Sequence, residues 1–179
     1  MTAEAAHVAL FRNLNLGHPG SLTGDELIEA FGGPGAASGF QTNGTVVFQT
    51  MDAAVAATEA RRRLAEAGYR QDCVIRSLEQ LRGIVEEAAA VPVPADVYRV
   101  LVSFFDVPES PVVDDPPPLR SRDGLVEVSV LAPGHAISLC WKPGSTAGNA
   151  TALLERLLGT PVTTRTLGTL ERLVARNPT

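Results

Sequence analysis

The chain has 179 residues, 45% of them hydrophobic and 20% charged, with a mean hydropathy of +0.09, a formal net charge of −5 and a pI near 5.2. That length suits one ordinary domain or two small packed halves, able to bury well over half of the unfolded surface without a covalent staple, and the composition is that of a folded globular protein. The acidic balance argues against a large nucleic-acid footprint, no apolar run approaches the ~20 residues of a membrane span, and no basic region precedes an apolar stretch at the start, so a cytoplasmic protein without a membrane partner is expected.

His7 to Leu14 reads as a first strand. Thr23-Gly-Asp-Glu26 is a capping box that opens a helix with Leu27, Ile28 and Phe31 turned inward, and Gly32-Gly33-Pro34-Gly35 ends it. Gly39 to Thr42 and Thr45 to Thr50 flank Asn43-Gly44, a pair whose tolerance of positive φ predicts a two-residue hairpin. Asp52 to Ala67 is a helix with an alanine-rich face and Gly68 just past its end; a strand over Arg70 to Arg76 completes the order β-α-β-β-α-β.

Ser77-Leu-Glu-Gln80 is a second capping box, and the helix it opens runs to about Ala89 before Val91-Pro-Val-Pro94 stops it. Val97 to Phe104 is a strand, and the prolines and acids of Asp106 to Pro118 make a loop where a repeat of the first half would place a helix. Leu125 to Leu131 and Ala136 to Trp141 form a second hairpin around Ala132-Pro-Gly-His135. Asn149 or Thr146 caps a helix that ends at Gly159, and Leu167 to Arg176 is the last helix, standing where a closing strand would be expected.

The predicted fold class is α+β: two ferredoxin-like halves packed as one compact unit, the first over residues 1–77, a connecting helix and proline-rich link over 78–96, and an imperfect second half over 97–179.

Val8-Ala-Leu-Phe-Arg-Asn-Leu-Asn-Leu-Gly17 is similar to the V-A-L-L-R-G-I-N-V-G-G opening of the bacterial family known as domain of unknown function sixteen ninety-seven. Thr42-Asn-Gly-Thr-Val-Val-Phe48 falls on its Q-S-G-N-V-V-F signature, and Thr163-Thr-Arg-Thr-Leu-Gly-Thr-Leu170 on its closing T-T-R-N-W-x-T-V. Asn13 replaces a glycine, Thr42, Asn43 and Thr45 replace Gln, Ser and Asn, and Thr166 and Leu167 replace Asn and Trp. The resemblance implies a duplicated ferredoxin-like fold and brings no assigned activity.

The candidate ligand residues cluster at these motifs. Arg12, Asn13 and Asn15 stand where the first strand gives way to the Gly17-His-Pro-Gly20 loop, with Asn43 and Thr45 in the hairpin. Thr164, Arg165 and Thr169 surround the start of the last helix, where unpaired amides and an arginine fork could hold an anion. The predicted partner is a small anionic ligand in a cleft between the halves. The alternative is structural: the asparagines satisfy loop backbone, Arg12 pairs with a carboxylate, Thr166 caps the helix and Arg165 bridges the halves. An interaction module and an enzyme of unknown reaction stay open.

No cofactor or metal is expected, because His7, His18 and His135 lie far apart without metal spacing or a neighbouring nucleophile, and Asp114-Asp115 beside Pro116-Pro-Pro118 reads as a solvated loop. Cys73 and Cys140 stand alone and read as buried small residues. RNA binding is disfavoured as well: Thr45-Val-Val-Phe48 lacks the aromatic spacing of an RNA-binding strand, and Arg61-Arg-Arg63 reads as a solvated helix face.

Overall fold

A computed structural model describes residues 5–16, 22–70, 72–107 and 116–178, and the chain divides into two units, Met1–Leu81 and Arg82–Thr179. In the first unit the order is β1 (Ala5–Phe11), α1 (Gly24–Ala30), β2 (Ala37–Phe40), β3 (Thr45–Thr50), α2 (Ala53–Glu66) and β4 (Cys73–Ser77). Its four strands lie in the order β2-β3-β1-β4 with every neighbouring pair antiparallel. This is the split βαβ arrangement predicted from the element order.

The capping box of α1 is complete: Thr23 N donates to Glu26 Oε2 at 2.8 Å, and Glu26 N donates to Thr23 Oγ1 at 3.2 Å. Asp52 caps α2 by accepting from the amides of Ala54 and Val55, and Gly68 beyond its end has φ +89°. Both helices bury their apolar faces, Leu27 and Ala30 from α1 and Ala60 and Leu64 from α2, in a core shared with Ala9, Phe11, Val46 and Phe48 of the sheet. Phe31 stands edge-on to Phe11 at 6.0 Å and tilted over Phe48 at 4.7 Å, so the aromatic rings tie the end of α1 to the central strands.

The β2–β3 connection is longer than Asn43-Gly44 alone. Phe40 pairs with Thr45, which leaves Gln41 to Gly44 as a four-residue turn with positive φ at Gln41 (57°) and Gly44 (66°). The chain leaving β1 runs against this turn from outside the hairpin: Leu16 N donates to Thr42 O at 2.8 Å, and Phe11 N donates to Gly44 O at 2.8 Å.

Helix α3 (Leu78–Ala90) follows β4 directly, with Ser77 N donating to Gln80 Oε1 at 2.9 Å and Gln80 N to Ser77 Oγ at 3.0 Å, as the second capping box predicts. The second unit then contains β5 (Arg99–Phe104), β6 (Leu119–Arg120), β7 (Val126–Ala132), β8 (His135–Cys140), α4 (Ala150–Leu158), β9 (Thr163–Thr166) and α5 (Leu167–Arg176), with strands in the order β6-β7-β8-β5-β9. Asn149 is the residue that caps α4, and Gly159 closes it in the left-handed conformation.

The second half does possess its closing strand. Thr163–Thr166 pairs antiparallel with β5 before Thr166 turns to cap α5, so the threonine run serves strand and cap in succession, where the sequence suggested a helix entry alone. The short edge strand β6 was not anticipated. Among the described residues no helix lies between β5 and β7; residues 108–115 of the predicted loop lie outside them.

The two sheets are equivalent position by position. Leu10 pairs with Thr45 and Val74 in the first, and Phe104 pairs with His135 and Thr163 in the second. Phe11 N donates to Gly44 O, and Phe105 N donates to Gly134 O at 3.2 Å. The equivalence continues into the helices after β4 and β9: Ser77 and Thr166 are both N-caps, and Leu81 and Leu170 are both fully buried.

Among the described glycines, a Cβ on Gly148 would fall 2.2 Å from Leu125 O, and Gly44 combines a close contact with a positive φ. A Cβ there would lie 2.7 Å from Leu14 Cβ and 3.0 Å from Phe11 Cβ, in a backbone with φ +66°. Gly44→Ala is expected to destabilise the fold by about 2–3 kcal/mol in urea denaturation, whereas Gly35→Ala, which meets nothing within 4 Å, should shift the midpoint little.

Candidate functional site

In the first unit the structure brings the end of β1 onto the β2–β3 turn. Arg12 is half-buried, Asn13 is exposed with φ 53°, and Asn15 is exposed, while Leu14 between them is buried against Gly44. Thr45 is buried at the base of the turn and donates from Oγ1 to Asn43 Oδ1 at 2.8 Å, so these two side chains serve the turn itself. Arg12 is anchored through its backbone: its N donates to Asp72 O at 3.2 Å and its carbonyl accepts from the Tyr69 hydroxyl. Gly17, His18, Pro19, Gly20, Asp114 and Asp115 lie outside the described residues.

The other predicted group belongs to the second unit. Side chains alternate along β9, and Thr164 enters a chain of hydroxyls, 2.8 Å from Ser103 Oγ and 2.7 Å from Thr151 Oγ1 of α4. Arg165 is 8% exposed, and its NH1 donates to Thr163 Oγ1 at 2.9 Å and to Thr164 O at 3.0 Å. Arg76, its equivalent on β4, donates from NH1 to the carbonyl of Ile75, its own preceding residue, at 2.6 Å. An arginine folded back on the residue before it is therefore a feature of both repeats. Thr169 is 8% exposed, and its hydroxyl lies 2.9 Å from that of Thr166 at the start of α5.

Beside that start is an open cleft of about 560 Å³, lined among others by Arg99, Thr166, Gly168, Thr169 and Arg172. Arg99 begins β5, and the pairing of Leu101 with Thr166 brings it to the same end of the sheet. Arg172 reaches back along α5: its NH2 donates to Thr169 Oγ1 at 3.4 Å, and its NH1 lies 3.8 Å from where a Cβ on Gly168 would stand. Both arginines are exposed, and among the described residues neither has a carboxylate partner; Glu171 on the rim pairs with neither. The first turn of α5 itself carries no acidic residue and the helix dipole is positive there, while Glu171 Oε2 lies 3.9 Å from where a Cβ on Gly168 would stand.

The first repeat supplies an internal comparison. By strand register Arg99 corresponds to Ala5, and by the shared N-cap Gly168 corresponds to Glu79 and Arg172 to Gly83. Helix α3 thus carries its own first-turn carboxylate, and Gln80 closes its capping box; α5 has a glycine and a threonine instead, with two cations added. Arg82 and Glu171 exchange in the opposite sense, and Arg82 is turned toward the carbonyl of Asn177. The fold does not need Arg99, Gly168 or Arg172, since the sister repeat forms without them. Gly168 in particular has an ordinary φ and room for a side chain.

Sequence reasoning found Thr166 and Thr169 of this cleft and missed Arg99, Gly168 and Arg172. The available signal was the repeat itself, in which Arg165-Thr166 aligns with Arg76-Ser77. A second basic cleft, beside α4 with Arg122 and Arg156, also contains Asp123, whose carboxyl is held below the usual range by hydrogen bonds from the Ser121 hydroxyl and the Leu125 amide, and to a lesser degree by the charge of Arg156. Each cleft thus includes one carboxylate, Asp123 in this one and Glu171 in the other.

Among the described residues no group of three or more His, Cys, Asp and Glu is arranged to hold a metal. His135 Nε2 lies 2.8 Å from Glu87 Oε2, which ties β8 to α3 within the second unit. Cys73 and Cys140 are both buried, burial pushes the Cys140 thiol up, and its Sγ donates to Gly148 O. The native protein is expected to react with a disulfide reagent far more slowly than the urea-unfolded chain at pH 8, measured by thiolate release. Thr164→Val removes the shared partner of two hydroxyls and should cost about 1–3 kcal/mol, part of which the double variant Ser103→Ala/Thr164→Val recovers in the same denaturation measurement.

The model of one family, described as protein of unknown function (DUF1697), matches residues 5–128. Among solved structures, the conserved bacterial protein SP0830 from Streptococcus pneumoniae is similar over 97% of this chain and 98% of its own, with a TM-score of 0.59 at 14% sequence identity, a likeness of fold alone. No match is found among curated proteins. With more than half of its length matched, from the first strand past the start of β7, the chain belongs to the DUF1697 family of proteins of unknown function.

Proposed function

We propose that the second unit binds a small anionic ligand, of the phosphoryl type, in the cleft at the start of α5. The observation that carries this reading is the difference between the repeats: Arg99, Gly168 and Arg172 stand where the sister repeat has Ala5, Glu79 and Gly83. Each exchange removes negative charge, adds positive charge or clears space at the mouth of one helix. Two exposed arginines without carboxylate partners repel each other, and an anion between them relieves that cost while accepting charge-assisted hydrogen bonds. First-turn amides supply further donors of the right sign.

The division of labour follows from burial. Arg99 and Arg172, both exposed, reach the ligand, while Gly168 leaves the amides accessible. Arg165, committed to Thr163 and Thr164, supports β9 and through it the position of Thr166. The reading is one of binding and assigns no reaction.

Isothermal titration of the full-length protein with orthophosphate tests it. Binding with a Kd between about 1 μM and 1 mM is expected, weakened about tenfold or more by Arg99→Gln and by Arg172→Gln, in line with the ~1.5–3 kcal/mol of a hydrogen bond to a charged group. Absence of heat, or affinity untouched by both variants, rejects the site. Affinity lost in Arg12→Ala instead moves the ligand to the loop after β1.

A further inference from the structure

The basic surface does not stop at the cleft. Tyr98, immediately before β5, is 43% exposed, and two cations converge on its ring: the guanidinium carbon of Arg99 lies 4.6 Å from the centroid and Lys142 Nζ lies 5.3 Å from it. Lys142 is the only lysine of the chain, two residues beyond the end of β8. Because both cations sit on one ring, they are no more than about 10 Å apart, roughly one screening length in dilute buffer. Like Arg99, Lys142 has no carboxylate partner among the described residues.

The internal comparison extends here as well. Cys140 and Thr50 end equivalent strands, so Lys142 corresponds to Asp52, which caps α2 in the first repeat. An acid with a structural task in one repeat is thus a lysine free of such a task in the other. Arg99 thus stands in two groups, with Lys142 on the ring of Tyr98 and with Arg172 along the cleft. A lone phosphoryl group between the arginines leaves Lys142, within about 10 Å of Arg99, unused.

On the reading proposed above, and resting on it, we infer that the ligand carries two adjacent phosphoryl groups, one between Arg99 and Arg172 and the second toward Lys142. The roles suit the chemistry of the side chains. Arginine clamps a phosphoryl group through paired N–H donors, whereas a lysine ammonium acts as a compact point charge that follows a terminal phosphate. Tyr98 holds Arg99 and Lys142 on its ring and is a positioning residue.

Titration of the full-length protein with orthophosphate, inorganic diphosphate and adenosine diphosphate separates the possibilities. Both diphosphates are expected to bind at least tenfold more tightly than orthophosphate. Lys142→Gln should abolish that gain while weakening orthophosphate binding far less, and Lys142→Arg should retain most of it. Equal affinity for the two diphosphates assigns the site to the diphosphate group alone; tighter adenosine diphosphate, lost in Tyr98→Ala, adds the nucleoside. Orthophosphate bound as tightly as diphosphate, or a gain that survives in Lys142→Gln, overturns the inference and leaves the anion site standing. Failure of all three ligands to bind overturns the anion site itself.

Discussion

Each unit depends on its central strand, hydrogen-bonded on both sides. β1 lies between β3 and β4, and β5 between β8 and β9. A slip of one residue in either ladder would turn every side chain of the strand to the other face, taking Ala9 and Phe11 out of the core they share with the helices, so the register also fixes where everything attached to the strand ends must lie. At one end of the sheet this register presses the chain leaving β1 onto Gly44, and does the same with Phe105 and Gly134 in the second unit. At the opposite end it brings the start of the central strand beside the N-cap of the following helix. The candidate cleft is a consequence of the second arrangement.

A duplicated fold offers a control that single structures lack. Features present in both repeats belong to the architecture: the arginine folded back on its preceding carbonyl, the hydroxyl N-cap, the buried leucine one turn into the helix. Features present in one repeat alone need another reason. The loss of Glu79 and Asp52 in favour of Gly168 and Lys142, with Arg99 and Arg172 added, lies within one small region and is almost uniform in sign, Glu171 being the exception. Exposed cations gathered with Glu171 as the one acid of the cleft lower stability slightly, and this pattern is the observation on which the proposed ligand site rests.

Much of this fold was legible in the sequence because its signals are local. The capping boxes at Thr23 and Ser77 and the glycines after α2 and α4 are each determined within a few residues and appear where expected, and of the two caps open for α4, Asn149 and Thr146, Asn149 is the one used. The errors arose where distant parts of the chain decide. Asn43-Gly44 has the chemistry of a two-residue turn, but the turn spans four residues, with the segment after β1 hydrogen-bonded to it. Thr163–Thr166 looked like a helix entry because its pairing with β5 is invisible without the register. The same limit hid the cleft: Arg99 and Arg172 are far apart in sequence and look like ordinary surface charges until the ladder of β5 and β9 brings them to one helix mouth. The chosen motifs led to Thr164 and Arg165, which the structure shows engaged with their own strand and with α4.

The central claim is that the second repeat alone acquired an anion site. Backbone amide chemical shifts followed by NMR during titration with orthophosphate test it most directly, because every amide of both repeats reports at once. The account predicts saturable shifts at Gly168 and Thr169, with their counterparts Glu79 and Gln80 unmoved. Shifts confined to the Arg12–Asn15 segment, shared equally by the two helix starts, or absent throughout would contradict it.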